Sequence, residues 1–341
     1  MNNFKKIGLS ALAGSLAMVS ANAVEYTMSG GLMSVYSTQD NPAAVEASNG
    51  KGLTTATDLS FNASGELDNG FTVSYMMALD TDTAVSNTSS QLTVGMGSLG
   101  TLQVNNKGGS AANAIDDITP NAYQETWDGL SEVNPSTFGS RTSSGSLDYR
   151  MPATDMGGVT INASITLDPN ANETSGAKGG VSPTTVSGQA YTVSFSQADS
   201  GVTIGGGLES VDDDGPLGSG TDEVTAYIKY AVGGLTAAYQ EAYTNTAHGT
   251  GTTREGADVE TDFWGVAYTS GDFTVSYGES STVTKGVSDT AVGLGTDLES
   301  LQAAYVMGAM TISAAMSETS NPGLTAVGTY EENTLAVSFA F

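Results

Sequence analysis

Residue after residue, this chain alternates between apolar and polar, and that period of two constrains its fold more than any other feature. Leu59, Phe61, Ala63, Gly65 and Leu67 alternate with Asp58, Ser60, Asn62, Ser64 and Glu66. After Asp68, Asn69 and Gly70 the pattern resumes with Phe71, Val73, Tyr75, Met77 and Leu79. Residues 159–167, 191–195, 224–232 and 273–277 repeat it. Successive side chains of an extended chain point to opposite faces, so each run predicts a strand with one apolar and one polar face. Asn-Gly-type turns between such runs predict antiparallel hairpins.

The connections alternate as well. One set is tight, at residues 68–70, 98–100, 153–157, 198–201, 232–234, 270–272 and 306–309. The other is mostly long and polar, at residues 38–55, 81–88, 106–140, 168–185, 211–221, 244–260, 280–296 and 319–327. Seven tight turns and eight longer loops predict sixteen strands, with both chain ends on the tight-turn side. Loops segregated in this way describe an all-β, 16-stranded antiparallel transmembrane barrel with its short turns in the periplasm. A soluble sandwich must cover its apolar face with a second sheet, and nothing in that packing sorts connections by parity. In lipid an open sheet edge has no hydrogen-bonding partner, so the sheet must close. About sixteen strands leave an aqueous channel rather than a packed core.

The N-terminus reads as an export signal. Lys5 and Lys6 precede an apolar run over residues 7–19 and a small-x-small site at Ala21, Asn22 and Ala23. The run falls short of the roughly 20 apolar residues of a spanning helix, and the expected cleavage leaves a mature barrel over residues 24–341. Losing Lys5 and Lys6 leaves eight of the ten basic side chains against 37 acidic ones. That excess excludes a nucleic-acid partner and suits a cationic permeant. With one histidine and no cysteine, histidine- and cysteine-based catalysis or zinc binding has no basis, and no cofactor is implied. Among acidic loop residues, Asp212 and Asp214 are the weak candidates for a divalent ion.

One stretch breaks the alternation for about 35 residues, far longer than an ordinary connection. Within residues 106–140 it carries Asp116, Asp117, Glu125, Asp128 and Glu132, with Lys107 near its start and Arg141 just after it. A long loop among short hairpins is either functional or disordered, and we read this one as folding into the lumen and narrowing it. Strand alternation turns Arg150 and Lys229 to the polar face, with Asp148 beside Arg150, and does the same for Asp58, Glu66 and Asp80.

The last strand alternates Leu335, Val337, Phe339 and Phe341 with Thr334, Ala336, Ser338 and Ala340, and the sequence ends on an aromatic residue. Together with the strand count, the long third loop and residues 145–152 (GSLDYRMP), this end resembles the Gram-negative general porins over residues 24–341. The resemblance implies a homotrimer in the outer membrane of a Gram-negative bacterium, passing small hydrophilic solutes and ions passively. By position it implies Asp116, Asp117, Glu125 and Asp128 as acidic constriction residues, facing a basic wall drawn from Lys107, Arg141, Arg150 and Lys229. The chain departs from the family where a basic ladder often stands: its first four strands offer Asp58, Glu66 and Asp80 instead. A pore lined by carboxylates favours cations. The alternatives are a substrate-selective channel and a soluble exported adhesin-like β-protein.

Overall fold

A computed structural model of the chain describes residues 24–40, 50–80, 85–106, 109–128, 135, 137–139, 142, 145–169, 186–213, 220–246, 258–285, 295–321 and 328–341. The export signal, Lys107, Arg141, Asp214 and the side chain of Asp212 lie outside the described residues.

The strand segments are β1 (Glu25–Asp40), β2 (Gly50–Glu66), β3 (Thr72–Asp80), β4 (Ser86–Gly95), β5 (Thr101–Asn106), β6 (Leu147–Arg150), β7 (Thr154–Asp155), β8 (Val159–Asp168) and β9 (Val186–Gln197). They continue with β10 (Val202–Asp213), β11 (Thr221–Val232), β12 (Leu235–Thr246), β13 (Asp258–Ser270), β14 (Phe273–Lys285), β15 (Thr296–Met307), β16 (Met310–Ser320) and β17 (Thr329–Ala340). Every pairing is antiparallel, and β1 pairs with both β2 and β17, so the sheet closes. Past the end of β17, Phe341 and Gly30 exchange backbone hydrogen bonds in both directions. The pieces β6 and β7 both pair with β8 and form one strand interrupted around Pro152, whose nitrogen has no hydrogen to donate. The barrel therefore has sixteen strands.

Short turns fall close to their expected positions, except that Thr154 and Asp155 of the stretch 153–157 pair as β7 and the turn follows at 156–158. Three are two-residue connections opening on Gly233, Gly271 and Gly308 at φ of 58°, 60° and 62°, the left-handed geometry that matches strand twist. The other side differs from expectation: strands run well into the stretches read as loops. β1 continues to Asp40, β14 to Lys285, and β2 begins at Gly50. Near these rims the outward side chains are acidic, so alternation of polarity disappears although the strands persist. Glu279, Glu299, Glu318, Glu331 and Asp40 are successive cross-strand partners in one row. Tyr277 donates its hydroxyl to Glu279 and Glu299, both at 2.6 Å, and the Trp264 indole donates to Glu279 at 3.0 Å.

Below that row the two faces separate cleanly. On β15, Leu301 and Tyr305 are exposed, while Gln302 and Ser300 on the opposite face are buried. The two apolar clusters both involve the long segment between β5 and β6. One packs its Ala112, Phe138 and Ile115 on Ala190, and the other packs Trp127 on Leu298 and Tyr330.

Candidate functional site: the segment between β5 and β6

The segment is fixed to the polar face of the sheet by neutral side chains along its middle and by carboxylates near its two ends. At its start, Ala111 N–H donates to Asp148 on β6 at 2.8 Å. The Gln240 side chain on β12 accepts from Ile118 N–H at 2.9 Å and donates to the Ile115 and Asp116 carbonyls at 2.8 and 3.1 Å. Ser276 on β14 accepts from Ala122 N–H at 2.8 Å. On β15, Gln302 accepts from Tyr123 and Gln124 N–H and donates to the Gln124 carbonyl at 2.7 Å. The Tyr123 hydroxyl reaches Met33 sulfur on β1 at 3.8 Å. On the way back, Gly139 N–H donates to Glu223 on β11 at 3.1 Å. A segment without regular structure must satisfy its backbone somehow, and here wall amides do it.

Glycines in the wall make the seat. A Cβ on Gly265 would sit 3.1 Å from Thr119, and one on Gly188 would sit 2.9 Å from Thr142. At Gly207 it would strike the Phe138 ring, and at Gly278 the Thr126 hydroxyl. The run Gly205, Gly206 and Gly207 is a place of close packing, against Tyr227, the Thr225 backbone and Phe138.

The acids gather on this segment. Asp117 accepts from Thr119 N–H at 2.7 Å and Thr119 hydroxyl at 2.6 Å, and Asp116 accepts from Asp117 N–H at 2.9 Å. Asp128 caps Glu125 N–H at 3.3 Å. Burial first, and then mutual repulsion, push Glu125 up to about 8. Burial likewise raises Asp116, Asp117 and Asp128, with neighbouring carboxylates adding to the shift in the first two. All four sequence-derived acids thus sense one another electrostatically.

Arg150 lies on the polar face, bound to Asp148 at 3.2 Å and to the Gly109 carbonyl at 3.3 Å. It meets the beginning of the segment. Lys229 shares the polar face of β11 with Glu223 but stands six residues along it, a rise of about 20 Å. Asp58 and Asp80 are cross-strand partners on β2 and β3, and Glu66 pairs with Thr72 near the short-turn end. A further wall acid, Glu332, accepts from Gln39 at 2.9 Å and from Thr334 at 3.0 Å. Among the described residues no group of three acids, histidines or cysteines has the geometry to hold a metal ion.

The sequence model of the Gram-negative porins matches residues 8–341. The chain belongs to the Gram-negative porin family. Porins are outer-membrane channels, and the closed barrel is theirs in architecture. The fold is similar to that of the anion-selective porin from Comamonas acidovorans, with 13% identity, 93% of this chain and 100% of that one covered, and a TM-score of 0.69. It is also similar to the channel DcaP of Acinetobacter baumannii, with 9% identity, coverage of 93% and 97%, and a TM-score of 0.67. A loop-deleted OmpT of Vibrio cholerae gives 9% identity, 93% and 99% coverage, and a TM-score of 0.66. Comparison with curated proteins finds no match.

Proposed function

We propose that this porin is a general diffusion channel whose lumen is narrowed by the β5–β6 segment and which prefers cations. One observation carries the constriction. Between Asp148 on β6 and Met33 on β1 the sheet makes eleven interstrand steps through β12, β14 and β15, about 53 Å of wall at about 4.8 Å each. The chain from Ala111 to Tyr123 reaches both ends of that arc, and β12, β14 and β15 between them, in twelve residue steps, at most about 43 Å when fully extended. It is shorter still, because Asn113–Ile115 forms a 3-10 turn. A chord on the concave side is that short, which supports a polar face lining the lumen and a segment crossing it.

The charge balance supports the ion preference. Asp116, Asp117, Glu125 and Asp128 lie on the segment, with Asp58, Asp80 and Glu332 on the wall, whereas Arg150 is bound to Asp148. Fixed carboxylates on both sides of a narrow aqueous path raise the local cation concentration. The Comamonas porin is anion-selective, but at 13% identity the likeness extends to the fold alone. The mature chain begins after Ala23 and assembles as a homotrimer in the outer membrane, the apolar face meeting lipid and neighbouring copies. Reversal potentials across a bilayer in a potassium chloride gradient test the selectivity: a clear anion preference removes it.

A further inference from the structure

On the short-turn side of the segment's start, the polar face holds a cavity of about 240 Å³. That is the volume of about eight water molecules. Arg150 on β6 stands at one end and Tyr227 on β11 at the other, four interstrand steps or about 19 Å of wall apart. Between them Asn162 on β8 and Ser194 on β9 are cross-strand partners, and Ser194 also pairs with Gly205 on β10. Gly205 makes room for Tyr227: a Cβ there would strike the Tyr227 hydroxyl, so the ring lies across β10 toward Ser194. Ala111 and Ile115 of the segment close the cavity on the long-loop side.

The lining selects by charge. Arg150 is its one charged member among the described residues, and the fully buried Asp148 offsets it. Arg150 bonds through Nη2 alone, to Asp148 and the Gly109 carbonyl, and its side chain stays 40% exposed. A cation entering here meets the guanidinium, and an anion must first pass a lumen rich in carboxylates. A neutral solute meets neither barrier. The guanidinium only donates hydrogen bonds, whereas the Asn162 amide and the Ser194 and Tyr227 hydroxyls donate and accept. The Tyr227 ring adds an apolar surface. Donors and acceptors around one aromatic ring, in an uncharged space of this size, match a solute with hydroxyls on every side. We propose that the cavity is a binding subsite for a neutral polyhydroxylated ring, a monosaccharide, just past the crossing of the segment. The proposal rests on the reading that the polar face lines the lumen.

The test is ion current through wild type in a planar bilayer in potassium chloride, titrated with glucose and separately with potassium gluconate. Each titration is corrected for the conductivity of the bulk solution. Glucose should lower the current along a saturating curve, and gluconate should not saturate. Tyr227→Leu and Asn162→Ala should each raise the half-saturating glucose concentration about five- to ten-fold. Ser194→Ala, which removes one oxygen, takes the place of either variant if it does not fold. A glucose effect that only tracks bulk conductivity overturns the subsite and leaves the channel reading intact. Gluconate saturating below glucose overturns it too, and so does equal half-saturation in wild type and variants. Absence of any ion current removes the channel reading, and the subsite falls with it.

Discussion

Two sectors of the same polar face are built differently. From β9 to β15 the wall offers glycines, Gln240, Gln302 and Ser276, and the segment lies in that cradle with its backbone bonded to wall amides. On β2 the polar-face glycines Gly50 and Gly52 would meet nothing within 4 Å of an added Cβ, and acids follow at Asp58 and, on β3, Asp80. One sector holds chain, and on the proposed reading the other lines water. On that reading, the segment's acids face a sector that carries Asp58 and Asp80. The proposed field across the gap then keeps one sign.

Substitutions at the cradle should have the largest effect. Gly207→Val drives a side chain into Phe138; we expect about 1–3 kcal/mol of lost stability, by calorimetry, and a larger single-channel conductance as the segment lifts. The same change at Gly52 should leave both nearly unaltered; equal effects at the two sites would erase the distinction between sectors. Next in size is Gln302→Ala, which strips partners from Tyr123 N–H, Gln124 N–H and the Gln124 carbonyl. Unpaired backbone groups there should cost about 1–3 kcal/mol and make the open current noisier.

A smaller effect should come from pH. Glu125, pushed up to about 8, is neutral below that value and gains a charge as pH rises through it. Cation preference should therefore strengthen between about pH 7 and 9 in wild type and not in Glu125→Gln, as read from reversal potentials. The folded state holds this proton more tightly than the unfolded chain. From its ordinary value of 4.5 up to about 8, the seated segment should therefore lose stability as pH rises. The smallest effect belongs to Asp58→Asn, a single charge facing water, with a slight fall in cation preference and no change in unfolding temperature.

Much of the barrel was legible because its physics is local and periodic. Leu59 to Leu79 reads as two strands and a turn without knowledge of any partner, and closure follows from the needs of an apolar outer face. Where the outward row turns acidic, as at Glu279 and Glu299, the period vanishes and strand ends were placed too early. The acids of the segment were legible by charge. Its anchors were not: Gln240 bonds Ile118 across 122 residues, and Gln302 bonds Tyr123 across 179. Neutral amides and glycines carry no sign to match against a loop. The one visible hint was a glutamine standing alone among small residues, as at Ala238, Gln240 and Ala242.

The most direct test of the account uses the absence of native cysteine. A single cysteine at Glu125, treated with a bulky water-soluble thiol reagent in a bilayer, should cut single-channel current stepwise, while one at Leu301 on the apolar face should not. Unchanged current after confirmed labelling at Glu125 would contradict a segment that crosses the lumen.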